Sequence, residues 1–205
     1  MTLLEAKQAA RQAAVLRRET AHRALAATAP ARVTAHFAAT FRLASGAAVS
    51  GYWPARSELD IRPLMAKLHQ SGHAIGLPVV VARGRPLLFR RWQPGAALEE
   101  KPFGLREPPA SAAEVVPDVL LVPLLACDRE GYRIGYGGGY YDLTLRALRA
   151  RQEVLAIGVG YAAQRIERLP HDGHDERLDW LVTEEGAEPF SGALERRIRK
   201  TGDVL

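Results

Sequence analysis

The run Gly131-Tyr-Arg-Ile-Gly-Tyr-Gly-Gly-Gly-Tyr-Tyr-Asp142 decides how the rest of the chain is read. Four glycines fall within five positions, at Gly135, Gly137, Gly138 and Gly139, and two tyrosines and an aspartate follow them. The apolar stretch Val119-Leu-Leu-Val-Pro-Leu-Leu-Ala126 precedes the run, and Tyr141, Leu145 and Leu148 recur behind it at helical spacing. Strand, glycine loop and helix start, in that order, turn backbone N–H groups and a helix N-terminus toward a phosphate. Glycine permits the close approach and the positive backbone angles that such a loop needs. Arg133 adds a permanent cation, and Asp142 adds a hard oxygen ligand of the kind magnesium takes beside phosphates. The spacing is neither G-x-x-x-x-G-K-[ST] nor G-x-G-x-x-G. On composition alone a plain glycine turn stays open.

A chain of 205 residues is long enough to bury a core and predicts a single domain over 1–205. Its 47% hydrophobic and 25% charged residues suit a globular protein, and no apolar run approaches the roughly 20 residues that span a bilayer. The single cysteine rules out an internal disulfide framework, points to a reducing cytoplasm and reads as packing at Cys127. A net charge of +5 without Lys/Arg runs, zinc-finger spacing or an RNA-binding signature favours an anionic small molecule over nucleic acid. The Ala- and Arg-rich start resembles a transit peptide, but Glu5 and Glu19 argue for mature structure.

Periodicity predicts helices over 2–27, 30–43, 59–70 and 140–151. It predicts strands over 47–53, 74–82, 86–92, 119–126, 154–160 and 180–183. A proline- and charge-rich loop fills 93–117, and 189–205 reads as a peripheral tail. Alternating strands and helices predict an α/β protein with a mostly parallel sheet and helices on both faces. Ligands in such sheets sit beyond the carboxyl ends of the strands. That places the glycine loop, Tyr52-Trp53 and Gly160-Tyr161 around one crevice.

The segment from Val122 to Leu143 closely resembles the signature of the 5-formyltetrahydrofolate cyclo-ligase family, V-P-G-x-A-F-D-x-x-G-x-R-[LI]-G-x-G-x-G-Y-Y-D. Leu124 replaces a glycine and Cys127 a phenylalanine. The resemblance runs from about Lys7 to Glu184 and implies a three-layer α/β/α fold. It implies ATP contacts from the Lys-x-x-x-Arg pair Lys7 and Arg11, although Arg17, Arg18 and Arg23 offer the same charge on the same helix. It extends the ATP site over Arg133, Ile134, Gly135, Tyr136, Gly137, Gly138, Gly139, Tyr140 and Tyr141. Arg133 and Tyr140 are the catalytic candidates. Folate contacts are implied for Trp53 and Glu58, and for Tyr136 to Tyr140 on the loop. An acid at position 58 also suits the first turn of a helix capped by Ser57, and that reading stays open. Gly104-Leu-Arg-Glu-Pro108 matches a further family element with a structural role. Tyr161-Ala-Ala-Gln164 and the aspartates after His171 match another, and Asp175 joins Asp142 as a magnesium ligand. His171 and His174 lack the partners that zinc requires.

The activity implied is ATP- and magnesium-dependent cyclisation of 5-formyltetrahydrofolate to 5,10-methenyltetrahydrofolate with release of ADP and phosphate. The expected partners are that folate and ATP, with no nucleic acid and no membrane, and the chain is expected to be a monomer. A folate- or RNA-binding regulator on the same scaffold is the alternative without turnover. A CoA-transferase or sugar-phosphate isomerase is the alternative with different chemistry.

Overall fold

The computed structural model describes residues 2–190. A long helix, α1 (Leu3–Leu25), is followed by α2 (Ala29–Thr40), β1 (Val49–Ser50), α3 (Arg62–Gln70), β2 (Ile75–Val79) and β3 (Leu88–Trp92). A small hairpin, β4 (Glu99–Glu100) and β5 (Arg106–Glu107), interrupts the long loop. Then come β6 (Val119–Pro123), the short pair β7 (Ala126–Cys127) and β8 (Arg133–Ile134), α4 (Tyr140–Arg149), β9 (Leu155–Val159), β10 (Trp180–Val182) and β11 (Ala187–Pro189).

Seven strands form one sheet in the order β11-β10-β9-β6-β1-β2-β3. The five central strands are parallel, and β3 and β11 are antiparallel edges. From β1 the chain runs outward to β2 and β3, then returns to β6 on the other side and continues to β9 and β10. The direction reverses between β1 and β6, where open α/β sheets form their binding crevice.

Alternation along the strands builds three layers. Leu121 and Ile157 pack with α2 and α3, in a cluster with Val33, Phe37, Leu64 and Met65. Leu120, Val122 and Ala156 pack on the opposite face with Leu145 of α4. The architecture is therefore α/β/α. A smaller cluster, Ala14, Leu125, Ala126, Ile134 and Leu169, seats the middle of α1 on the β7–β8 hairpin.

Several boundaries differ from the sequence expectation. α3 begins at Arg62, not at residue 59, because Pro63 sits where a helix needs no N–H and Ile61 is the cap. Ser57 therefore does not cap a helix, and the helix-start reading of Glu58 falls. β1 keeps only two paired residues of the predicted 47–53 strand. A short hairpin stands between β6 and the glycine loop, where a direct strand-to-loop passage was expected. The buried Glu107 accepts from the Val80 amide at 3.0 Å, which is the structural role expected of its segment. Of the predicted tail, 191–205 lies outside the described residues, whereas Pro189 ends β11 and Phe190 is buried. Among the described residues no helix is long and apolar enough to cross a membrane.

Leu121 is fully buried in the central strand β6. Leu121→Ala should cost about 2–5 kcal/mol in urea unfolding, the price of a core cavity.

Candidate active site

Three segments meet at the carboxyl ends of the parallel strands, and the inward face of α1 touches each of them. Lys7 reaches the segment after β9, donating to Asp175 Oδ2 at 2.6 Å and Asp172 Oδ2 at 3.3 Å. Arg11 Nε donates to the Gly135 carbonyl at 3.0 Å. Arg18 Nε donates to Ser57 Oγ at 3.1 Å, in the loop after β1, and Arg18 Nη2 donates to the Tyr136 hydroxyl. His22 Nδ1 lies 3.0 Å from the Tyr161 hydroxyl.

The glycine loop has the geometry its composition predicts. Gly137 holds φ at 97°, and a Cβ there would lie 3.3 Å from the Arg11 guanidinium carbon. At Gly138 a Cβ would come within 2.7 Å of the Tyr140 ring, so a side chain fits only if that ring moves. Gly139 is the N-cap of α4 and brings no side-chain acceptor to the first-turn N–H groups. An uncapped helix start behind a glycine loop is a ready anion site. Ile134 turns its side chain into the small cluster under α1, leaving only its backbone toward the loop.

The predicted charged residues are brought together, but as pairs with one another. Arg133, with 5% of its side chain exposed, places Nη2 3.0 Å from Asp142 Oδ1 and donates from Nη1 to the Glu176 carbonyl at 2.7 Å. Burial pulls the Arg133 pKa down, and Asp142 opposes the fall. Asp142 Oδ1 also accepts from the Glu176 amide at 3.0 Å, which joins the start of α4 to the segment carrying Asp175. Burial acts against the Lys7 charge, but the Asp175 and Asp172 carboxylates outweigh it and the net shift is upward.

Glu58 accepts from the Ala55 amide at 2.9 Å, and Oε1 lies 3.8 Å from Arg18 Nη1. With 12% of the side chain exposed, burial raises its pKa despite the Ala55 amide and Arg18. The Tyr141 hydroxyl is buried with no hydrogen-bond partner among the described residues, and burial drives its pKa up. Tyr140 packs at the edge of the α4 core. The Trp53 ring meets Trp92 edge-on at 6.0 Å and carries the Arg62 guanidinium at 5.3 Å. Cys127 is buried and its thiol is pushed up to about 12 by burial, which suits packing and not nucleophilic work.

Among the described residues no group of three or more His, Cys, Asp or Glu side chains could hold a metal. Asp142 and Asp175 are each paired with a cation; carboxylate oxygens of this kind suit magnesium beside phosphate oxygens and water, and two carboxylates alone do not make a zinc site. His171 is stacked on Tyr132 at 3.6 Å.

The sequence offered Arg18 only as one of several interchangeable cations on α1 and Ser57 only as a helix cap, and it did not mark Arg56. A signal existed for Arg18. Eleven residues at about 100° each bring it back within roughly 20° of Lys7 on the helix face.

The family model for the 5-formyltetrahydrofolate cyclo-ligase family matches residues 4–184, and the chain belongs to that family of ligases. It is 35% identical over 132 residues to the 5-formyltetrahydrofolate cyclo-ligase of Escherichia coli, covering 62% of this chain and 71% of that one. It is 37% identical over 147 residues to the cyclo-ligase of Mycolicibacterium smegmatis, covering 68% and 74%. The solution structure of Aquifex aeolicus 5,10-methenyltetrahydrofolate synthetase is similar with a TM-score of 0.69 at 29% identity, covering 90% of this chain and 93% of that one.

The raised Glu58 pKa has a sign that can be checked. A carboxyl that holds its proton more tightly when folded favours the folded state at low pH. That contribution is lost as pH rises through the ordinary value of 4.5 and past Glu58's own higher value. Glu58→Gln has no such proton. The stability of the wild type relative to this variant should therefore fall across that window in paired urea titrations, and a flat difference contradicts the assignment.

Proposed function

We propose that this cyclo-ligase family member converts 5-formyltetrahydrofolate to 5,10-methenyltetrahydrofolate at the expense of ATP, releasing ADP and phosphate. One observation carries the reading. The α1 cations Lys7 and Arg11 converge with the glycine loop and the uncapped start of α4 beyond the end of β6. Such an arrangement suits the phosphates of a nucleotide, and Glu58 sits in the loop after β1, 3.8 Å from Arg18 Nη1.

The formamide oxygen is a poor leaving group, so it takes the γ-phosphoryl group and ADP departs. The nitrogen at position 10 of the folate then attacks the activated carbon and gives up its proton, the carbon–oxygen bond breaks, and the departing phosphate can carry that proton away. Both steps ask for positioning and charge stabilisation more than for a protein nucleophile. Arg133, Arg11 and the loop N–H groups would orient the phosphates, with Tyr136 and Tyr140 on the folate side of the same loop. Asp142 and Asp175 would hold magnesium, which when bound would neutralise phosphate oxygens.

The charge pairs give the reading a definite consequence. Lys7 is held by Asp175 and Arg133 by Asp142. Each cation therefore becomes available to phosphate as its carboxylate takes up metal, so the nucleotide and magnesium should bind as one unit. ATP without magnesium would meet cations already occupied.

The test is the absorbance of methenyltetrahydrofolate formed from 5-formyltetrahydrofolate with and without ATP. Turnover that requires ATP supports the reading, and tight folate or RNA binding without turnover favours a regulator. Within the same assay, removing Lys7 and Arg11 together should raise the ATP requirement on the order of a hundredfold. Each charge-assisted contact contributes roughly 1.5–3 kcal/mol, partly offset by the Asp175 pair that is lost. Arg17→Ala, exposed on the outer face of α1, is the control and should change little.

A further inference from the structure

Arg18 is the most enclosed charge in the crevice, with 2% of its side chain exposed. Its guanidinium plane addresses three partners. Nε donates to Ser57 Oγ, Nη2 donates to the Tyr136 hydroxyl, and Nη1 lies 3.8 Å from Glu58 Oε1 with no hydrogen-bond partner among the described residues. Burying this cation costs several kcal/mol, and the unpaired Nη1 adds to the cost. An apolar side chain of similar volume would fill the space more cheaply. The fixed fork of arginine, which dictates the angle between its partners, is what such a side chain would not supply.

Tyr136 is 52% exposed and flanked by Gly135 and Gly137, so little in its own segment restrains it. Two guanidinium groups do. Arg18 lies 5.4 Å from the ring centroid and Arg56 lies 5.2 Å from it. Arg56 holds φ at 55°, a left-handed conformation uncommon for a residue with a side chain. Backbone strain of this kind persists where the surrounding structure enforces it, and it clusters at ligand-binding segments.

We propose that Arg18 is a positioning residue for the folate side of the site, fixing Tyr136 of the glycine loop against Glu58 of the loop after β1. The two loops then present one preformed surface to the substrate. Preorganisation of this kind lowers the ordering cost of binding without adding a contact. The inference rests on the folate assignment of Glu58 made above.

The test uses a double-mutant cycle of Ser57→Ala and Tyr136→Phe, neither of which removes the buried cation. Binding of 5-formyltetrahydrofolate is read by quenching of tryptophan fluorescence without nucleotide. Melting temperatures and the ATP requirement are measured alongside. Each single variant should weaken folate binding by about three- to tenfold. The double variant should lose clearly less than the product of the two, because both act through Arg18. The melting temperature of Ser57→Ala should fall modestly, because the buried Arg18 Nε loses its acceptor, while its ATP requirement should stay near wild type, which a purely structural role would not allow. Wild-type folate affinity in Ser57→Ala, or losses that multiply in the double variant, would overturn the proposal. A wild type that does not bind the folate removes the reading beneath the proposal, and the proposal with it.

Discussion

The inward face of α1 is the constraint on which the crevice depends. Lys7, Arg11 and Arg18 lie within about 40° of one another around the helix, and each takes hold of a different segment. The strands alone would leave their carboxyl-end loops independent, since the loops after β1, β6 and β9 are separated by whole helices in sequence. A single helix laid across them, seated through Ala14 and Ala21, turns three loops into one surface. Small residues at those two positions let the helix approach closely enough for its long cations to reach.

That arrangement leaves the site near charge neutrality without its ligands. Lys7 meets Asp175, and Arg133 meets Asp142. Partly buried cations left without carboxylates would be costly, and unpaired carboxylates equally so. Proteins that handle triphosphates with a divalent ion must accommodate both signs of charge, and internal pairing keeps such a pocket folded when it is empty. Glu176 ties the two halves together. Its amide donates to Asp142 and its carbonyl accepts from Arg133, while its carboxylate receives Arg146 and Arg149 of α4.

Much of the architecture was legible because it rests on long patterns. The apolar runs of β6 and β9, the glycine cluster and the amphipathic α4 carry their signals within one segment. The misread parts have short-range patterns that tertiary contacts override. Leu59 and Ile61 continue an apolar rhythm into α3, yet they are buried in a loop pinned by the Tyr52 hydroxyl on the Leu59 carbonyl at 3.0 Å. The two-residue strands β7 and β8 are too short to show any period. In the site, the residues of the glycine loop could be named from composition and resemblance. The pairing of Lys7 with Asp175 could not, because it joins positions 168 residues apart. Arg18 looked like one more surface arginine until the loop after β1 was seen to fold over it.

One crevice, closed by α1 over the ends of β1 and β6, should receive both the nucleotide and the folate. Hydrogen–deuterium exchange with magnesium and a non-hydrolysable ATP analogue, and separately with 5-formyltetrahydrofolate, tests it directly. Protection is expected over 135–142 with the nucleotide, over 52–59 with the folate, and in α1 with either. Protection confined to other segments, with α1 and the glycine loop unchanged, would contradict it.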